Sequence, residues 1–152
     1  MGYQFIHLEG YAKRGSRQRG VRSEPGKKGR PEVRKWSVRE IAAEAMREPD
    51  ACPHVEHPQP PRVLLGCSPM VAAEMAEKWA STAQDGRGHA LRADGLAMAA
   101  GVVSLPSDQA HDWPQFRDAT VQWLQEQYGP RLRSVVEHTD EMHPHLHFYA
   151  VP

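Results

Sequence analysis

The stretch from Leu132 to Val151, LRSVVEHTDEMHPHLHFYAV, decides the fold. Two β-type runs, Leu132 to His138 and His145 to Val151, flank a short connection from Thr139 to Pro144, which reads as a terminal hairpin. His145 and His147 are two apart, so on a strand both leave the same face of the sheet. If the two runs pair, His138 at the end of the first reaches the same patch. Three imidazoles from two adjacent C-terminal strands then make a metal site with coordination positions left open, as a catalytic site requires.

Upstream, Asp112 and Gln115 cap an expected helix through Gln127, with Phe116, Trp123 and Leu124 inward, ended by Tyr128-Gly129-Pro130. Gly95 to Leu105 reads as a largely buried strand, bulged at Gly101. Ser68 caps a helix with Pro69 at its first position, running to Thr82, and Val71, Met75 and Trp79 form its core stripe. Arg62 to Gly66 is a short strand. Residues 49–61 hold five prolines and are extended. Ser37 to Glu48 is a helix opened by a Ser37/Glu40 capping box, and Tyr3 to Glu9 is a strand. Helices alternating with strands and closing on a hairpin imply an α+β domain, a mainly antiparallel sheet with helices packed on one face. At 152 residues the chain is read as one domain, 1–152.

The formal net charge is zero, yet Ala12 to Arg39 holds eleven Lys/Arg against two acids. The segment at about 11–36 has almost nothing apolar to bury and reads as a mobile basic loop. Its Lys13, Arg14, Arg17, Arg19, Lys27, Lys28 and Arg30, with Arg39 beyond it, are the expected phosphate contacts to DNA. Two cysteines make no disulfide framework, as expected in a reducing cytoplasm. No apolar run is long enough for a membrane span, and the N-terminus does not read as a secretory signal. Oligomeric state is not written in the sequence.

Around the histidines, Asp140 is placed to orient a ligating imidazole through its second N–H. Glu141 is placed to complete the coordination sphere or to serve as general base. His143, next to Pro144 and out of phase with the pair, is read as a loop residue within reach of substrate. By affinity, imidazoles favour zinc, nickel or copper over manganese or magnesium.

The ten residues from His138 to His147 match the pattern HxDExxPHxH. In this the chain resembles the Mob/Pre plasmid mobilisation and recombination relaxases, within the wider group of HUH endonucleases. A weaker similarity runs through the whole chain, including GYQFIHLEGY and ACPHVEHPQPP. The resemblance implies a relaxase-like α+β fold, Mn or Mg as the divalent ion, and a bacterial cytoplasmic setting. It also implies nicking of one strand of single-stranded or melted DNA at a plasmid origin, through a covalent protein–5′-phosphate intermediate. Such relaxases normally continue past the equivalent of Pro152, so the chain is expected to lack their C-terminal part.

The pattern is departed from at the nucleophile. The family's HxxR motif falls on Trp36-Ser37-Val38-Arg39, and a tryptophan cannot attack phosphorus. Tyr11, His54 and Ser37 are the candidates that stand in for it, with Tyr3 and His7 behind them, and Ser37 already has a capping role. Two other readings therefore stand beside a nicking enzyme: a non-catalytic, metal-containing DNA-binding module, and a metal-dependent phosphoesterase for small substrates. Only the small-substrate enzyme would be indifferent to deletion of residues 12–35.

Overall fold

The computed structural model describes residues 5–17 and 34–152. Its elements are β1 (Phe5–Ala12), β2 (Ser16–Arg17), β3 (Arg34–Lys35), α1 (Val38–Ala45), β4 (Arg62–Gly66), α2 (Pro69–Thr82), β5 (Leu96–Ser104), α3 (Trp113–Tyr128), β6 (Leu132–His138) and β7 (His145–Ala150). Five strands form one antiparallel sheet in the order β1-β5-β7-β6-β4, and β2 pairs with β3 as a separate two-residue ladder. The fold is α+β, as expected. The terminal hairpin forms, and β7 is the middle strand of the sheet.

Helices lie on both faces of the sheet, not on one. Tyr149 packs with Val38, Ala42 and Ala45 of α1 and Ala72, Ala73 and Ala76 of α2, while Leu146 and Phe148 pack with Trp113 and Leu124 of α3. The period of two on β7 explains this, because Leu146 and Phe148 point to one face while the Tyr149 ring, with Val151 beyond it, must be covered on the other.

The α2 stripe differs from expectation. Val71 and Met75 are each 39 % exposed, and the buried side chains are Pro69, Ala72, Ala73 and Ala76. Small side chains at helical spacing let α2 approach α1 and the sheet closely, so Val71 and Met75 are left at the rim, while Trp79 packs partly buried against the core as expected. In α3, Leu124 is buried but Trp123 is 42 % exposed. Asp112 makes no side-chain cap, because a 3-10 turn over Ser107–Asp112 feeds directly into the helix. The Ser37/Glu40 capping box is present, with Glu40 N–H donating to Ser37 Oγ at 3.2 Å and Ser37 N–H to Glu40 Oε2 at 2.8 Å.

Gly101 is not bulged. It holds regular register between Leu8 and Phe148. A Cβ there would run into Cζ of the Phe148 ring, so glycine is needed to seat the ring. The basic stretch is tied at its described ends: Tyr11 and Ala12 belong to β1, and Ser16–Arg17 pairs with Arg34–Lys35. Tyr3, Arg19, Lys27, Lys28 and Arg30 lie outside the described residues. Among the described residues no helix is long and apolar enough to cross a membrane.

Candidate metal centre

His138 and His145 are directly paired across β6 and β7, and His147 lies two residues further along β7 opposite Val136. All three rings project to the α1/α2 face, beyond the point where α1 ends. Ring centroids are 5.1 Å apart for His138–His145, 4.7 Å for His138–His147 and 5.2 Å for His145–His147. The hairpin register and the period of two thus bring together the three residues that the sequence singled out.

The rings sit as neighbours packed face to face, at interplanar angles of 22° and 24° for the two His138 pairs. Among the described residues no group of three or more His, Cys, Asp or Glu is disposed to hold a metal ion as it stands. Ligation requires nitrogens aimed at one point, an arrangement that the stacked rings do not present. One observation fits a cation: Nδ1 and Nε2 of His138 are both buried and have no hydrogen-bond partner. A buried ring with two idle nitrogens carries an uncompensated desolvation cost, and ligation would remove part of it. Burial, then the charges of Arg47 and His145, push His138 down to about 3, so it is neutral and able to ligate at physiological pH. His147 is held well below its ordinary value by burial and by the two neighbouring imidazoles.

The carboxylates are organised by a residue that sequence reasoning did not find. Arg47, in left-handed backbone just past α1 (φ 59°), is buried. Its Nε and Nη2 donate to Asp140 Oδ2 at 2.9 Å and Oδ1 at 3.0 Å, and its Nη1 to Glu44 Oε1 at 3.2 Å. Burial pushes Asp140 up, but Arg47 and the Gln59 amide outweigh it and hold the carboxyl at about 2. Asp140 is therefore spent on Arg47, and its Oδ1 stands 3.9 Å from His138 Nδ1. The expected role of orienting an imidazole is not its main contact. Glu44 is pushed up by burial, against the pull of Arg47 and His54.

Glu141 bridges two imidazoles, with Oε2 3.0 Å from His145 Nε2 and Oε1 3.3 Å from His54 Nε2. His54 also lies 3.4 Å from Glu44 Oε1. In front of His145 and His147 lies a cleft of about 780 Å³, lined also by His54, Glu56, Val102, Ser104 and residues 140–143, with exposed His143 at its edge, while His138 is buried behind it.

The other candidate nucleophiles do not line this cleft. Ser37 caps α1 at the end opposite Arg47. Tyr11 donates its hydroxyl to Glu9 at 2.9 Å, and its acidity is suppressed by burial and by that carboxylate. His7 projects beside Glu9, two strands away from His147. Of the expected phosphate contacts, Arg39 is committed to Glu77 (2.7 Å) and Lys13 donates to Ser81 at 2.7 Å, while Arg14 is exposed. Only the backbone of Arg17 is described, in β2.

No protein-family model, no curated protein and no solved structure matches the chain.

Proposed function

We propose that this domain nicks one strand of DNA at a divalent-metal site held by His138, His145 and His147, in the manner of the Mob/Pre relaxases that its signature resembles. The observation that carries the reading is the meeting of three imidazoles on a paired hairpin, one of them buried with both nitrogens unpartnered.

The charge around the cleft supports it. Asp140, Glu141 and Glu56 line the cleft, Glu44 lies beside His54, and the nearby Arg47 is buried and committed to Asp140 and Glu44. A phosphodiester entering such a space needs positive charge from elsewhere. A bound divalent ion would neutralise and polarise the scissile phosphate. The family resemblance points to Mn or Mg, and the donor set alone to Zn or Ni. On the protein's side, Arg47 anchors the 139–144 connection through Asp140, and Glu141 fixes the facing imidazoles. The basic stretch before α1 supplies backbone affinity for single-stranded or melted DNA.

The test is incubation with Mn2+ and a random-sequence, single-stranded oligonucleotide pool labelled at its 3′ end. The reading expects label that stays on the protein through SDS. Salt-sensitive DNA binding without any cleavage would instead establish the non-catalytic module. That second reading is favoured by one observation: Trp36, where the family has its histidine, is 41 % exposed beside the cap of α1, at the helix end opposite Arg47.

A further inference from the structure

Resting on the strand-nicking reading, we propose that the attacking atom is a ring nitrogen of His54. The segment after α1 forces this side chain into the cleft. Cys52 and Val55 are each 7 % exposed and turn inward, tied by a Val55 N–H to Cys52 carbonyl bond of 3.1 Å. His54 between them is left 52 % exposed by side chain and faces the histidine cluster across Glu141.

Its Nε2 lies between two carboxylate oxygens, Glu141 Oε1 at 3.3 Å and Glu44 Oε1 at 3.4 Å. Two acceptors at one nitrogen select the tautomer with the proton there. Nδ1 then carries the lone pair and has no hydrogen-bond partner among the described residues. A carboxylate holding one imidazole nitrogen so that the other can act is the usual way to orient and activate such a ring.

The other nucleophile types lining the cleft are worse placed. Ser104 is 6 % exposed and donates its hydroxyl to the Leu105 carbonyl at 3.4 Å. Asp140 is locked by Arg47. His143 is exposed, and no carboxylate contact among the described residues holds its ring.

The step balances. The Nδ1 lone pair forms a P–N bond while the P–O3′ bond breaks, its electron pair leaving on the 3′ oxygen. That oxygen takes a proton from water, and the ring's Nε2 proton passes to Glu141. The product is a 5′-phosphoryl-histidine adduct and a free 3′ hydroxyl. Attack by that hydroxyl reverses it.

The chemistry of the adduct provides the test. With the whole chain, Mn2+ and the 3′-labelled random pool, label bound to the wild-type protein should be released by mild acid and survive alkali, as a P–N bond does. His54→Ala and His54→Gln should lose the bound label down to background while keeping the Mn2+-induced rise in Tm. Acid-stable label on the wild type, or label persisting on either variant, overturns the assignment and leaves the nicking reading intact. Loss of the Mn2+ shift in both variants makes His54 a ligating or structural group and also overturns it. Absence of label on the wild type overturns the nicking reading itself, and this assignment with it.

Discussion

Arg47 grips Asp140 edge-on across 93 residues of sequence, with two nearly parallel bonds of 2.9 and 3.0 Å. A guanidinium is built for this bidentate fit, and the pair is almost wholly buried. The contact ties the end of α1 to the connection that carries Glu141, so helix and metal loop are one mechanical unit.

Arg47→Ala should therefore destabilise the protein by about 3–5 kcal/mol, because it strands a buried carboxylate. Arg47→Lys should recover only part of this, since an ammonium cannot make the paired bonds. Urea midpoints of the two variants check both statements. Equal stability of Arg47→Lys and wild type would show that the fork geometry is unimportant.

Acid should weaken the metal-free protein well before ordinary carboxylates titrate. His138 sits at about 3 in the folded state against an ordinary 6.5. Below 6.5 the unfolded chain binds a proton that the folded one refuses, so its contribution is lost as pH falls from about 6.5 toward 3. Asp140, held at about 2 against an ordinary 3.8, contributes fully above about 4 and loses its share as pH falls through 2. Urea midpoints in EDTA should fall continuously below pH 6.5, and His138→Leu should make the upper part shallower, the remaining slope belonging to His147, which burial also holds well below its ordinary value. A midpoint unchanged between pH 7 and 5 would refute the role of His138.

Metal binding should stabilise the fold through the same histidines. An ion present at a hundred times its Kd adds about 2.7 kcal/mol, read as a rise in Tm. His147→Ala and His138→Ala should abolish the rise with Mn2+ and with Ni2+, whereas Trp36→Ala should keep it. A shift retained in both histidine variants would move the ion elsewhere.

Gly101→Ala should cost about 1–3 kcal/mol, because a methyl group there collides with the Phe148 ring, which packs in the core beneath α3. Differential scanning calorimetry reads the loss. Pairing the change with Phe148→Leu should restore part of it, since the clash and its relief share one space.

Local pattern reached the hairpin because a short connection and a period of two leave little freedom. Once Leu132 to His138 and His145 to Ala150 pair, His138, His145 and His147 must share a face. The second helical layer was also written there, in Tyr149 and Val151 on the parity opposite Leu146 and Phe148, but the alternation of elements pointed to helices on one face only. Arg47 was not legible. It stands one residue past a helix cap, and the partner that buries it lies far along the chain, where no spacing rule reaches. The α2 face was misread for a related reason. Hydrophobic periodicity weights Val71 and Met75 above alanine, whereas close approach between layers rewards Ala72, Ala73 and Ala76.

The strand carrying His145 and His147 is flanked on both sides, by β5 and by β6, while β1 and β4 bound the sheet. Amide hydrogen exchange follows local opening, which is cheapest at sheet edges and dearest at the centre. The backbone beneath these two histidines should thus be among the last to exchange, while the Thr139–Pro144 connection exchanges early. Fraying, insertions or sequence drift at the β1 and β4 margins can then accumulate without loosening the histidines, so the domain can vary at its borders while its chemistry stays in register.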